Sequence, residues 1–483
     1  MAILRHNKYQ FRFINDTIYE KSFTFLKVSY IAMLLSVMSI SEGFAQGLRT
    51  SYFMDNVPSR LKMNPALQPA RGYFNIPAIG AIGLSASSNK LSIDDFIDII
   101  QNKNSFLNSD QFINRLDNKN TMNIDLTLDL ISFGIYSGKG FWTVNLGARS
   151  IISASIPKSM FELARYANTN PELDENVNLN YDIKDMELHA NIFTEIGLGY
   201  SRPVTKDLTV GGRVKLLVGL GNLDAKIDQI YAHVNTDDLA SYQSWKVKTK
   251  GRLEASMKGL EFSYNSDSGY IDDIDFDSPG ISGYGLGLDL GASYNLFGCI
   301  NLSAAIIDLG FINWTKSSTT IATTNSEHDY GDFANSGSDE YDPDNTEAGD
   351  VFDFDLIQFQ TEENAKSRST SLRSTLNLGA EYTLLNNKLG FGLLSSTQFT
   401  QPEAYSELTI SANYRPKNWF GVSLSYSFLH SDFETLGIGL KLGSIFIGSD
   451  YLMTKSLGDA NRANVYLGVS VPLGKKRQDY RRK

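Results

Sequence analysis

The fold is decided by residues 194–220, which read T-E-I-G-L-G-Y-S-R-P-V-T-K-D-L-T-V-G-G-R-V-K-L-L-V-G-L. In the first half, Ile196, Leu198 and Tyr200 share one face, while polar or small residues share the other. The second half repeats this alternation, and its apolar face consists of Leu208, Val210, Val214, Leu216, Val218 and Leu220. A period of two is that of a β-strand with one apolar face. Because the turn residues Pro203–Asp207 separate the halves, the stretch predicts a β-hairpin.

The same alternation recurs through residues 72–474, and the lengths of the connections predict the topology. Short turns are predicted at 137–140, 203–207, 297–299, 386–388, 416–418 and 443–444. Long connections, the outer loops, are predicted at 88–120, 157–185, 227–280, 315–369, 399–405, 430–434 and 454–462. The two kinds alternate without a fault if the β-like segment 247–264 is an extension within an outer loop. Bacterial outer-membrane barrels have this rhythm, with the short turns in the periplasm.

The predicted fold class is therefore all-β, a transmembrane outer-membrane β-barrel of about 14 antiparallel strands. Both termini are expected in the periplasm. Aromatic residues support the orientation, because Tyr and Trp near the short turns resemble a ring at a membrane interface. They are Tyr136, Trp142, Tyr200, Tyr294, Tyr382, Tyr414 and Trp419. The alternative, a soluble β-sandwich, also alternates but does not require a rhythm of turn lengths.

Two early connections carry helical signals. Leu91, Ile93 and Phe96 recur at helical spacing within 91–116, which predicts one or two short amphipathic helices. Pro157 suits a first helical turn, so a helix is also predicted over 157–168.

The N-terminal residues 1–45 are interpreted as a signal peptide. The longest apolar run, residues 28–40, follows Lys21 and Lys27 and precedes a small-residue cleavage site after Ala45. Residues 1–20 are either an extended leading region or the result of a mis-assigned start. At the other end, residues 475–483 form a basic tail expected in the periplasm.

Composition excludes several classes of function. The formal net charge of −10 over 483 residues argues against a nucleic-acid partner. Cys299 is the only cysteine, so no intrachain disulfide and no cysteine-based zinc cluster is predicted. None of the five histidines forms a spaced metal motif, and His430–Asp432, although it contains His, Ser and Asp, is no evidence of a catalytic triad. We predict no catalytic, cofactor-binding or metal-ligating residue; a barrel lipase is a remote alternative.

Residues 317–365 contain no Lys or Arg but thirteen acids, which predicts a long solvated loop. Within it, Asp339–Asn345 offers oxygen ligands for calcium, but the spacing and glycine of an EF-hand loop are absent. Solvated chain is the favoured interpretation.

Charged residues on the polar faces of the strands are expected to point into the barrel lumen. They are Asp125, Asp129, Arg149, Glu195, Arg213, Lys215, Asp289, Arg373, Glu381, Arg415 and Lys441. Mixed signs favour internal ion-pair ladders over an ion-selective path, because charges at membrane depth must pair or be hydrated.

Fourteen strands enclose more space than their own side chains fill, so a plug or water must occupy the lumen. The irregular segment 46–71, with Pro58, Pro65 and Pro69, is the predicted plug. Segment 91–116 is the second candidate.

Residues 50–80 resemble the N-terminus of an uncharacterised outer-membrane barrel family of Bacteroidota, a domain of unknown function. The predicted plug motif Asn64, Pro65, Ala66 also resembles a motif of FadL-type long-chain fatty acid transporters and their PorV-like relatives, although Leu67 stands where glycine is usual. Residues 196–217 and 307–314 are similar to barrel segments of those proteins.

The FadL-type resemblance implies fourteen strands, an N-terminal plug and passive uptake of small hydrophobic molecules across the outer membrane. The PorV-like resemblance implies instead a non-transporting role in type IX secretion or surface attachment. The expected partners are outer-membrane lipid and either a small hydrophobic ligand or secretion-system and surface proteins. No cofactor and no nucleic acid is expected.

Overall fold

The computed structural model describes residues 49–474 except 56, 78–79, 93, 96–108, 170–177, 237–242, 265–268, 277–279, 331–356, 363–365, 400–403, 430–433 and 453–460. The predicted signal peptide and basic tail lie outside the described residues. So do the predicted calcium ligands Asp339–Asn345, the sequence His430–Asp432 and most of the predicted helical segment 91–116.

The chain is built mainly of strands. They are Gly72–Asn75 (β1), Ile82–Ser88 (β2), Lys119–Ser137 (β3), Gly140–Pro157 (β4), Asn178–Pro203 (β5), Leu208–Thr236 (β6), Gln243–Met257 (β7), Leu260–Tyr264 (β8), Ile271–Phe276 (β9), Gly283–Leu296 (β10), Ile300–Trp314 (β11), Thr319–Tyr330 (β12), Gln360–Thr361 (β13), Arg368–Ser371 (β14), Ser374–Leu384 (β15), Leu389–Phe399 (β16), Tyr405–Lys417 (β17), Phe420–Leu429 (β18), Glu434–Leu442 (β19), Ile445–Leu452 (β20) and Arg462–Leu473 (β21). The α-helices are Asp110–Arg115 (α1) and Lys158–Thr169 (α2), and short 3₁₀ helices span Arg49–Ser51, Pro58–Lys62 and Lys316–Ser318.

Antiparallel pairing closes the sheet into a barrel. It runs from β3 to β6, then through β10 and β11 to β15, and onward in chain order to β21. Strand β21 pairs with both β1 and β2, and these pair with β3 on their other side. Strands β1 and β2 share one place in the barrel, and β14 and β15 share another. Within the described residues the barrel therefore has fourteen strand positions, and the predicted count is confirmed.

The first strand differs from the prediction. The alternation of residues 72–87 predicts one strand weakened by Pro77, whereas pairing stops after Asn75 and resumes at Ile82. Pro77 lies in this interval, and proline cannot donate a ladder hydrogen bond. The break is thus a local effect of the proline on an otherwise continuous barrel position.

The outer face of the barrel is apolar and exposed. Leu198, Val214, Leu286 and Leu424 are 54%, 59%, 54% and 54% exposed, respectively. A soluble protein rarely exposes a contiguous apolar surface of more than a few hundred Å², so this band is explained by contact with lipid. Among the described residues, no helix is long and apolar enough to cross a bilayer.

One aromatic residue of the predicted interface ring points inward. The ladder between β3 and β4 shifts its register between Asp129 and Ile131, and this bulge reverses the facing of the residues that follow. Tyr136 consequently donates a hydrogen bond of 2.6 Å to the carbonyl oxygen of Pro69 inside the barrel. Trp142 does face outward, 43% exposed.

Two strands continue far beyond the barrel. Strands β5 and β6 contain 26 and 29 residues, whereas a spanning strand needs about 9–11. Beyond the barrel, β6 pairs with β7, and β7 pairs with β12. We call this four-stranded part the extension; it rises from the end of the barrel opposite the short turns, here called the long-loop end.

The extension corrects one prediction. Acidic composition predicts a solvated loop from residue 317 onward, but Thr319–Tyr330 is a strand paired with β7. Its first half contains four threonines and an isoleucine, which have high β-propensity, and Ala322 is fully buried. The apolar face of the extension forms the largest hydrophobic core among the described residues, packed against α1, α2 and residues Ile357 and Phe359.

Candidate functional site

The N-terminal segment, residues 49–71, lies inside the barrel. Arg49 is the first described residue, and its guanidinium group lies 3.2 Å from the carboxylate of Glu407 on β17. At the other end of the segment, Gln68 donates a 3.0 Å hydrogen bond to Ser201 on β5. Between them, the Tyr52 hydroxyl lies 3.0 Å from that of Ser303 on β11. The segment therefore crosses the lumen from one wall to another.

The Asn64-Pro65-Ala66 motif fixes the middle of the segment. The side-chain amide of fully buried Asn64 donates to the carbonyl oxygens of Ala292 and Ala304, both at 3.3 Å. Its side-chain oxygen accepts a 2.9 Å hydrogen bond from the Ala66 amide. One asparagine thus closes the local turn and ties it to two adjacent strands, and Pro65 shapes the turn between these contacts.

Inward-facing glycines make room for the segment. A Cβ atom at Gly291 would overlap the side chain of Asn64, and one at Gly211 would overlap the backbone of Pro65. Glycine in a strand interior often marks the close approach of another backbone. The alternation G-L-G-L-D-L-G in β10 therefore carries a packing signal in addition to a strand signal.

A cluster of six buried charges lies on the inner wall beside the segment. It contains three cations and three carboxylates, namely Arg149, Glu195, Arg213, Lys215, Asp289 and Asp308. Arg149 lies 3.0 Å from Glu195 and 2.7 Å from Asp308. Lys215 lies 2.7 Å from Asp289 and also pairs with Asp308. Equal numbers of each sign make the cluster neutral, which limits the cost of burying it.

Three other predicted lumen residues, Asp129, Glu381 and Arg415, contact the N-terminal segment or a neighbouring strand. Asp129 pairs with Lys62 of the segment. Arg415 lies 2.8 Å from Glu381 and donates to the carbonyl oxygen of Phe53.

The remaining predicted residues lie apart from the cluster. Asp125 and Arg373 pair across the lumen. Lys441 is buried and donates to the carbonyl oxygen of Gly443 at 3.0 Å.

Asp55 shows how strongly the segment is held electrostatically. Burial alone would raise the pKa of its carboxyl group, but the guanidinium groups of Arg415 and Arg60 hold that pKa well below its usual range. Arg60 lies 2.6 Å from Asp55, and the amide of Asn387 donates to it at 2.8 Å. The carboxylate therefore stays ionised and links the segment to the turn between β15 and β16.

Above the segment, toward the long-loop end, lies the lumen cavity. It encloses about 950 Å³ of space between protein atoms, including its open mouth. Its main lining side chains are Arg49, Asp125, Arg149, Asp308, Arg373 and Tyr405. A smaller cavity of about 460 Å³ lies lower, between the segment and the first strands, beside Asp129 and Arg213. Within the described residues, no group of three or more His, Cys, Asp or Glu is arranged to hold a metal ion.

A family model described as a family of unknown function (DUF5723) matches residues 65–450. The chain belongs to the DUF5723 family. No curated protein matches it.

Several solved structures are similar in fold to this DUF5723 protein. A deltaS2S3 mutant of the monoaromatic hydrocarbon channel TodX aligns with a TM-score of 0.38 and 10% identity, over 89% of this chain and 97% of that one. A FadL homologue of Pseudomonas aeruginosa aligns at 0.30 and 8%, over 89% and 97%. The translocator domain of the autotransporter NalP from Neisseria meningitidis aligns at 0.30 and 8%, over 88% and 99%. Similarity at this level does not identify a ligand or an activity.

Sequence reasoning missed several charged residues of the DUF5723 site. Asp308 is central to the charge cluster, where it pairs with Arg149 and Lys215. Because it lies within the apolar run Ile306–Gly310, the sequence does not assign it to the inner face. It has a positive φ of 61°, and the β10–β11 ladder shifts register beside it. An aspartate within an apolar strand is the signal that could have identified it, because Asp tolerates this conformation at a bulge.

Proposed function

We propose that this protein is a passive outer-membrane transporter for a small molecule, closed at rest by the N-terminal segment acting as a plug. The observation that carries the proposal is the seating of residues 49–71 inside a closed barrel, with the lumen cavity directly above them. We further propose that the short turns face the periplasm and the extension faces the exterior, as in bacterial barrels with short periplasmic turns.

The polarity of the side chains that line the lumen cavity indicates the polarity of the solute it would accept. The FadL-type resemblance implies a hydrophobic ligand, which would favour an apolar cavity beside the plug. Of the described side chains that line the lumen cavity, only Met63 and Ile307 are apolar. The lining therefore supports a hydrophilic solute rather than the expected hydrophobic one.

The test is the conductance of a variant that lacks residues 46–71, reconstituted in planar bilayers beside the full-length protein. Removing the plug should open a water-filled lumen and give large, steady single-channel currents, whereas the full-length protein should conduct only in brief, rare openings, which suffice for slow solute uptake. Heat-modifiable migration on SDS gels checks that the shortened protein still forms a barrel. A folded variant with the same closed trace as the full-length protein would count against the plug.

The extension favours a second role, namely docking of secreted or surface proteins as the PorV-like resemblance implies. Strands β5, β6, β7 and β12 form a folded layer beyond the barrel, and the acidic residues 331–356 follow it in sequence. Deletion of residues 331–356 should then abolish co-purification of secreted partners from the native host without affecting solute uptake. Unchanged co-purification would contradict docking through this stretch.

A further inference from the structure

The lumen cavity carries an inference about the solute itself. We propose that it is a binding site for a small hydrophilic solute that bears a carboxylate group. This rests on the proposed transport function, because it assigns the substrate class of the same lumen.

The charge that faces the cavity is positive. Four cationic side chains line it, namely Arg49, Lys62, Arg149 and Arg373. Among the described residues, only two carboxylates do so, those of Asp125 and Asp308. The other carboxylates that pair with these cations lie behind the lining; they belong to Glu407, Asp450, Asp129 and Glu195. Although each cation has an acidic partner, a solute in the cavity therefore meets more positive than negative groups.

Besides the cations, the lining includes hydroxyl groups that can donate hydrogen bonds. Arg49 donates to the hydroxyl oxygens of Tyr405 at 2.6 Å and Tyr451 at 3.0 Å. Since both hydroxyl oxygens act as acceptors in these contacts, their hydrogens remain to be donated. An ionised carboxylate accepts hydrogen bonds and donates none, so it complements this set.

The cations come from different parts of the molecule and converge on one space. Arg49 and Lys62 belong to the N-terminal segment, Arg149 lies on β4, and Arg373 directly precedes β15. Two of the four thus sit on the part of the chain that must move for the lumen to open. A bound carboxylate would contact both the fixed wall and the movable segment.

The test compares three four-carbon probes that differ in their end groups. Full-length protein in detergent is titrated calorimetrically with succinate, butanediol and putrescine at fixed ionic strength. Succinate should bind measurably, whereas the neutral diol and the cationic diamine should not. Binding of butanediol or putrescine as tightly as succinate would overturn the proposal.

A double variant tests whether Arg373 is part of the site. Arg373→Gln with Asp125→Asn removes the guanidinium group without leaving its carboxylate partner unpaired, which protects the fold. Charge-assisted hydrogen bonds are worth enough that succinate affinity should fall about tenfold. The matched control is Lys441→Gln, because Lys441 is a buried lumen lysine that does not line the cavity. It should bind succinate like the wild type, and a folded double variant with wild-type affinity would contradict the assignment.

A separate measurement distinguishes this proposal from the transport function. Uptake of succinate and of neutral arabinose is followed in proteoliposomes by swelling. If neither solute enters while succinate still binds, the transport proposal fails and the binding site stands. If arabinose enters and succinate does not bind, transport stands and the carboxylate site is wrong.

Discussion

Strands β5 and β6 run through two different surroundings, and the comparison of their two halves locates the edge of the membrane. In the barrel half, the outward apolar residues Ile196 and Val214 are 47% and 59% exposed. In the half that belongs to the extension, Ile183 and Ile230 are fully buried. There the apolar face packs against α1, α2 and residues 357–359 instead of being open.

The difference shows that one pattern of alternation serves two kinds of burial. An apolar strand face must be removed from water, and either lipid or protein can do this. Beyond the bilayer the chain supplies its own cover from the connections that leave β2, β4 and β12. Along β6, the apolar face is exposed up to about residue 216 and is packed against protein from about residue 223. The membrane boundary on the long-loop side therefore lies between these residues.

The largest loss of stability is expected where protein, rather than lipid, covers the apolar strand face. Ile230→Asp places an unpaired carboxylate in a fully buried site, which should destabilise the extension by more than about 4 kcal/mol. The barrel below should remain intact. Limited proteolysis should cut the extension rapidly while heat-modifiable migration of the barrel is retained; loss of both at once would show that the two halves fold as one unit.

The next largest loss of stability is expected when an ion pair on the inner face is broken, and this loss should differ between the barrel half and the extension half. Lys215→Met leaves excess negative charge in the fully buried cluster and should destabilise the barrel by about 3–5 kcal/mol. Lys226→Met is the control on the same strand, because this lysine pairs with Glu187 and its side chain is 53% exposed. Its cost should be about 0–1 kcal/mol. Urea unfolding in lipid vesicles measures both, and equal costs would contradict the difference in burial.

A charge on the lipid-facing surface should reduce stability less than the two changes above. Val214→Arg should reduce barrel stability by about 2–4 kcal/mol if the position lies near the midplane. Val204→Arg is the matched control, since Val204 is 58% exposed but lies in the turn between β5 and β6. Its cost should be close to zero. A similar loss at both positions, measured by the same unfolding assay, would argue against lipid contact at Val214.

Much of this fold is predictable because alternation and turn length are local signals. The fourteen strand positions follow from them, and so does the hairpin at 194–220. Single-residue bulges are harder to predict from sequence, and one extra residue moves every following side chain to the opposite face of the strand. The bulge beside Asp129 explains why Tyr136 contacts Pro69 instead of lipid. The strand β12 was missed because the charge of the whole stretch outweighed its short run of β-branched residues.

The site was predictable only in part. Eleven charged residues were expected to line the lumen, and the structure shows ion pairs for ten of them, all but Lys441. Their partners Asp55, Lys62 and Asp308 were not identified. Partnership across a barrel depends on which strands become neighbours and on where the N-terminal segment lies, and neither is visible in local periodicity.

The central proposal is that solutes pass only when the N-terminal segment leaves its seat. The hydroxyl oxygens of Thr50 and Ser425 lie 2.7 Å apart, so cysteines at both positions are placed to form a disulfide between segment and wall. In a Cys299→Ala background, proteoliposomes carrying this pair should take up arabinose under reducing conditions, stop when oxidised and recover with reductant. The single-cysteine variants should not respond. Uptake that continues at the same rate with the disulfide formed would contradict the proposal.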